Sequence, residues 1–311
     1  MVPIIPAPLQ AGRERAARQA RRIGALLLCA VLGGCAWLDD QQRQIALRPT
    51  PTRDVDAARL QPQAGDEHWL VPVAAPEGGE QRLSLWWLPQ PDPQAPALLY
   101  LHGTFRNLYG NLPKIDALRK AGFAILAVDY RGWGDSTPLV PSEETIALDA
   151  RVAWAELVRR QPMPGRRVIF GHSMGGAVAV RLASGLHHGS DYGALVLEST
   201  FTRMPDIAAE AGFWGTIASS LTTLDFDSLS RIDRVDAPIV MLHGDADNTV
   251  PVQLGRRLRD AARPGVRWLE VPGGSHSRLH SQAPELYRDT LRELIASLPP
   301  PTAVPNPDSP P

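Results

Sequence analysis

Cysteine is nearly absent from the 311-residue chain: there are two, Cys29 and Cys35, and both fall near the N-terminus. The rest of the chain can therefore form no internal disulfide and no cysteine-ligated metal site. A basic excess is lacking too. The formal net charge is −1 with 21% charged residues, which excludes the clearly basic surface that nucleic-acid binding needs. Nor is there a hydrophobic run long enough to span a bilayer. The uncharged stretch 23–38 has about 16 residues, against the roughly 20 that a spanning helix requires. No internal repeat is visible. What remains is 44% hydrophobic residues, enough for one large core.

The charge is unevenly placed. Arg13, Arg15, Arg18, Arg21 and Arg22 stand against a single acid, Glu14, in residues 1–34, and the remainder is mildly acidic. A basic segment, a short apolar run and then small residues form the layout of a signal peptide. Leu32-Gly33-Gly34-Cys35 resembles a bacterial lipobox, which implies lipidation of Cys35 as the new N-terminus. Cys29 follows Leu28 and fits that cleavage pattern poorly. Ala36 in place of an Asp retention signal implies, by the same resemblance, a lipid-anchored protein of the cell envelope, at the outer membrane facing the periplasm. Residues 1–34 then read as signal peptide and 35–64, polar and Pro-containing, as anchor and tether.

Beyond residue 65 the chain alternates strand-like and helical patterns. Runs at 68–73 and 83–88 flank the turn residues Glu77-Gly78-Gly79 and predict an antiparallel opening pair. Short continuous apolar runs follow at 97–101, 123–128, 168–170, 194–197 and 239–242, the pattern of strands buried on both faces. The run at 266–271 alternates more, as an edge strand does. Ile146, Ala150, Ala153 and Leu157 share a helical face behind Ser142, and Leu291, Leu294, Ile295 and Leu298 share another. This alternation predicts an α/β fold with a mostly parallel sheet and helices on both faces, over 65–298. The tail 299–311 has seven prolines and reads as disordered.

Three segments at strand ends carry chemistry. Gly171-His172-Ser173-Met174-Gly175 joins a strand to an Ala/Val-rich helix. Small residues two before and two after the serine let the backbone turn sharply there. The hydroxyl then projects above the sheet, and the helix N-terminus offers N–H groups to an oxyanion. His243-Gly244-Asp245-Ala246-Asp247 places two acids beyond a later strand, and these residue types alone do not choose between them. Gly273-Gly274-Ser275-His276 puts a histidine in a glycine-rich loop after the last strand. The order Ser, Asp, His is that of one of the known hydrolase arrangements. Glu198, at another strand end, is an outlying alternative acid. Asp129 and Arg131 read as braces of their loop, and His102, His172 and His243 as structural.

From about 65 to 298 the chain resembles the α/β-hydrolase superfamily, in the branch of lysophospholipase-like, monoacylglycerol-lipase-like and acyl-thioesterase-like enzymes. Leu101-His-Gly-Thr104, Val128-Asp-Tyr-Arg-Gly-Trp-Gly-Asp-Ser136, the Ser173 turn, Leu197-Glu-Ser-Thr-Phe201, Leu242-His-Gly-Asp-Ala-Asp247 and Gly274-Ser-His276 carry the resemblance. It implies Asp247 rather than Asp245 as the acid beside His276, and the N–H groups of Thr104 and Met174 as the oxyanion hole. It also places a small cap at about 201–236. There Phe213, Trp214, Ile217, Leu221 and Leu224 make an apolar stripe. The stripe either packs the cap onto the sheet or binds an acyl chain, with Trp214 and Leu221 as the substrate contacts.

The expected reaction is attack of Ser173 on a carboxylic ester or thioester, with His276 as base and then acid, through an acyl-enzyme. The expected partners are a small-molecule or lipid ester and, through lipidated Cys35, a membrane. No cofactor or metal and no nucleic acid is expected. The same residues suit a peptidase or amidase, and the fold alone suits a non-catalytic envelope lipoprotein. Nothing in the sequence speaks to oligomeric state.

Overall fold

A computed structural model describes residues 34, 37–52, 62–75, 78–210 and 223–301. Among these residues eight strands form one sheet: β1 (Glu67–Ala74), β2 (Glu80–Leu88), β3 (Ala97–Leu101), β4 (Ala124–Asp129), β5 (Arg167–His172), β6 (Ala194–Glu198), β7 (Ile239–Gly244) and β8 (Arg267–Val271). Their spatial order is β1-β2-β4-β3-β5-β6-β7-β8. The β1–β2 and β2–β4 pairs are antiparallel, and β4, β3, β5, β6, β7 and β8 run parallel. Every run read as a strand is one. The uniformly apolar runs are the fully buried strands β3 to β7, while β8, more alternating, lies at the edge and pairs only with β7 among the described residues.

Helices cover both faces. Residues 37–47 form α1; α2 is Leu108–Ala121, α3 Glu143–Arg160, α4 Met174–Ala183, α5 Met204–Ala209, α6 Val252–Ala261, α7 Leu279–Gln282 and α8 Pro284–Ser297. Apolar residues of α3, α4 and α6 (Ile146, Val178 and Leu254 among them) pack on one face of the sheet with Leu99 and Leu126. Those of α2 and α8, including Ile115 and Leu291, pack on the other with Leu98 and Ile125. Adjacent residues of β3 and β4 thus enter opposite cores, as the two-residue strand period requires. Ser142 starts α3 with a capping box: its hydroxyl accepts from the Thr145 N–H, and the Thr145 hydroxyl accepts from the Ser142 N–H.

The loop after β4 is braced as its residue types suggested. Asp129 accepts from the Leu108 N–H at the start of α2. The Arg131 guanidinium and N–H both bind the Asp149 carboxylate at 2.8 Å, wholly out of solvent. Burial pushes Asp149 up to about 6 despite that pairing.

The tether reading of 35–64 is corrected in part. Residues 37–47 are helical, and Leu47 is fully buried in the core. Residues 50–52 then pair with Gly134: the Gly134 N–H donates to the Thr50 carbonyl and the Thr52 N–H to the Gly134 carbonyl, both at 3.0 Å. One buried leucine and two ladder bonds dock a segment whose polar, proline-bearing composition suggested free chain. Cys29, Cys35, Trp214 and Leu221 lie outside the described residues, as does the tail 302–311.

Candidate active site

The parallel strands deliver three side chains to one end of the sheet. Ser173 follows β5 directly and has φ 56°, a left-handed conformation that is strained for any residue with a Cβ. The strain is held from several sides. The Ser173 N–H donates to the Glu198 carbonyl at 2.9 Å. The Thr200 hydroxyl donates to the Ser173 carbonyl at 2.9 Å. A Cβ on Gly175 would overlap the Leu101 carbonyl oxygen, and one on Gly171 the Gly175 carbonyl oxygen. The glycines two before and two after Ser173 therefore permit a backbone approach that no other residue allows.

His276, in the loop after β8, stands between Ser173 and Asp247. Its Nε2 is 3.0 Å from the Ser173 hydroxyl, and its Nδ1 is 2.7 Å from Asp247 Oδ2. The second oxygen of Asp247 accepts from the Thr249 and Val250 N–H groups, both at 2.8 Å. Burial pushes the Asp247 carboxyl up, but hydrogen bonds from His243 and His276 and the neighbouring N–H groups outweigh it. The group is held well below the ordinary carboxylate range. Asp245 is exposed and accepts from the Gly273 N–H instead, bracing the turn that carries His276. The two acids left open by residue type are thus separated by one residue of loop, Ala246, and by opposite surroundings.

Thr104 and Met174 flank this line, and Glu198 does not. Met174 opens α4, where the helix leaves its N–H without an internal partner. Thr104 is buried in the turn after β3, and its carbonyl accepts from Trp133 Nε1 at 3.3 Å. A Cβ on the preceding Gly103 would come within 2.9 Å of the Ser173 Cβ, so this turn passes directly beside the serine. Glu198 is engaged elsewhere: it is buried, paired with Lys114, and accepts from the Tyr287 hydroxyl at 2.8 Å. Neither of these partners is His276, whose ring bonds Ser173 and Asp247 instead.

Two of the histidines read as structural brace the site. His172 Nε2 lies 3.0 Å from the His276 carbonyl and ties the histidine loop to the serine turn. Burial, with Lys114 and His276 adding to it, holds His172 well below the usual imidazole range, so it donates as a neutral ring. His243 is 2.9 Å from the Val250 carbonyl and 3.4 Å from Asp247. Ser173 and His276 open into a cavity of about 630 Å³ whose wall also carries Phe105, Arg106, Lys114 and Arg278. No carboxylate lines it among the described residues. Also among the described residues, no group of three or more His, Cys, Asp or Glu is placed to hold a metal ion.

A buried serine, imidazole and carboxylate in one hydrogen-bonded line, at the C-terminal ends of parallel strands, define a hydrolase of the α/β class. The chain belongs to the α/β-hydrolase family. Residues 93–231 match the family model described as serine aminopeptidase, S33. An uncharacterized protein of Mycobacterium tuberculosis, MT2364, is 32% identical over 274 residues, covering 87% of this chain and 93% of that one. The lysophosphatidylserine lipase ABHD12 of Danio rerio is 30% identical over 221 residues, covering 65% of this chain and 57% of its own length. The Pyrococcus furiosus esterase PF2001 shares the fold, with a TM-score of 0.59 at 20% identity, over 75% of this chain and 91% of that structure.

Proposed function

We propose that the protein hydrolyses carboxylic esters or thioesters through an acyl-enzyme on Ser173. The observation that carries this is the position of His276, in hydrogen-bond reach of both Ser173 and Asp247. In this reading His276 takes the proton of the Ser173 hydroxyl as the oxygen attacks the carbonyl carbon. The C–O or C–S bond then breaks, and His276 returns the proton to the leaving group. Water repeats the sequence on the acyl-enzyme, releasing the acid. Asp247, held ionised, fixes the tautomer of His276 and stabilises its charged form. The Thr104 and Met174 N–H groups receive the oxyanion. An ester-cleaving activity also accords with the names of the zebrafish lipase and the archaeal esterase.

A second reading comes from the family description, which names an aminopeptidase. An aminopeptidase must neutralise the charged α-amine of its substrate. The cavity wall instead presents Arg106 and Arg278, while Lys114 is paired with Glu198, and no carboxylate lines the cavity among the described residues; this favours the ester. Nitrophenyl esters from acetyl to octanoyl, set against aminoacyl nitroanilides, test the choice. Ester turnover is expected to dominate and to rise with chain length by up to about fourfold per methylene, from about 0.8 kcal/mol each. Trp214→Ala or Leu221→Ala is expected to flatten that rise without removing acetyl-ester activity. Nitroanilide turnover exceeding that of every ester would overturn the ester reading, and a wild-type preference for acetyl over octanoyl would overturn the acyl-contact role of Trp214 and Leu221.

The same proposal places the enzyme in a bacterial cell envelope, at the outer membrane facing the periplasm, anchored through lipidated Cys35. In cells fed labelled palmitate, the wild-type chain is expected to carry label and Cys35→Ser to carry none. Label retained on Cys35→Ser would contradict the anchor.

A further inference from the structure

Helix α1 is amphipathic in the wrong sense for water. Its outward side carries Trp37, Leu38 and Ile45, exposed to 64%, 53% and 72%. At 100° per residue these three fall on one arc together with Gln41 and Gln44, and no acidic residue lies on it. The helix's own ions lie off this arc, with the Asp39 and Asp40 side chains still partly exposed to water. Arg43 pairs with Asp39 at 2.9 Å and with Asp40 at 3.4 Å on the side shared with buried Leu47. A water-facing helix sets its charges outward and its large apolar side chains inward.

The arc continues to the mouth of the cavity. Arg48, immediately after the helix, places its guanidinium 4.7 Å from the centre of the Phe105 ring. Phe105 is 44% exposed and lines the cavity that holds Ser173. Arg106 beside it has φ 70° and lays its aliphatic stem over Gly110, where a Cβ would meet it. Arg106 and Arg278 both line the cavity and are exposed, and neither guanidinium has a hydrogen-bond or ion-pair partner among the described residues. Apolar side chains flanked by cations unpaired among the described residues match a surface with an apolar interior and phosphate headgroups.

We propose that the outward face of α1 and the Phe105–Arg106 rim together dock on a phospholipid bilayer, so that the cavity opens onto the lipid phase. Chain order supports the same occupant: Trp37 follows the candidate lipidation site Cys35 by two residues, and α1 is about 16 Å long. An acyl anchor at Cys35 would hold this face, and with it the cavity mouth, against the membrane. That the docked cavity cleaves esters rests on the reading proposed above; the docking itself does not.

The test uses the full chain with vesicles of phosphatidylcholine and phosphatidylglycerol. With brominated lipids, the fluorescence lost on going from wild type to Trp37→Tyr isolates Trp37, which is expected to be strongly quenched. An octanoyl ester presented in the vesicles is expected to be cleaved at least tenfold more slowly by the Leu38→Gln/Ile45→Gln double variant, with soluble acetyl-ester turnover unchanged. Unquenched Trp37 on vesicle-bound protein, or equal vesicle-ester rates in variant and wild type where wild type does cleave the soluble ester, would overturn the docking. A wild-type dimer that the double variant abolishes, with Trp37 unquenched, would overturn it by giving the face to a second copy. Absence of soluble-ester turnover in wild type would sink the esterase reading alone, since Trp37 quenching reads the docking without catalysis.

Discussion

Ser173→Ala is expected to lower ester turnover by about 10⁴- to 10⁶-fold, the scale of losing a nucleophile whose partners act as a unit. Folding should be untouched. Alanine keeps the Cβ that the left-handed backbone at φ 56° already accommodates, and both backbone bonds of Ser173, to Glu198 and Thr200, are independent of its hydroxyl. The measurement pairs steady-state turnover with a thermal melt and with labelling by an alkyl fluorophosphonate. Wild type should take up one label and the variant none, at equal melting temperature. Turnover near wild type in Ser173→Ala would remove this serine from the chemistry. A folded wild type that resists the label would favour the non-catalytic lipoprotein.

Asp247→Asn is expected to cost about 10⁴-fold in turnover, because an amide at this position can present N–H to His276 Nδ1 and select the wrong tautomer. Asp245→Asn should cost little, since its carboxylate serves the Gly273 N–H and never reaches the imidazole. The reversed pattern would show that the acid has been assigned to the wrong aspartate. Asp247→Asn also predicts a pH signature in stability. The folded carboxyl lies below its ordinary value, so it stabilises the native state above about pH 4, and that contribution is lost as pH falls through the folded value. The gap in melting temperature between wild type and Asp247→Asn should therefore be steady near neutrality and close in acid.

How much of this was readable beforehand differs by residue. The strands announced themselves through uninterrupted apolar runs, because strands buried on both faces have no polar side to show. Ser173 was readable for a local reason: the glycines at 171 and 175 and the flanking strand and helix all lie within a few residues of it. His276 and the aspartates were readable only as a set, from their order along the chain. The roles of Lys114, Arg106 and Arg278 were not readable at all. A lysine within a helix and two loop arginines are ordinary surface residues in sequence, and only the packing of α2 and α7 around the cavity gathers them there.

By itself the sequence determined the strand-and-helix alternation, the sharp turn at Ser173 and the order of serine, acids and histidine, because each rests on residue type and near-neighbour spacing. Tertiary structure decided the rest. Asp245 and Asp247 are chemically identical and two residues apart, and what separates them is which carboxylate the β7–β8 pairing aims at His276 and which it leaves on the surface. Likewise, composition made residues 35–64 look like free tether. Burial of Leu47 and the pairing of residues 50–52 with Gly134 turned α1 into part of the domain and set its apolar face beside the cavity. Such contacts join residues more than eighty positions apart, and local pattern carries no information at that range.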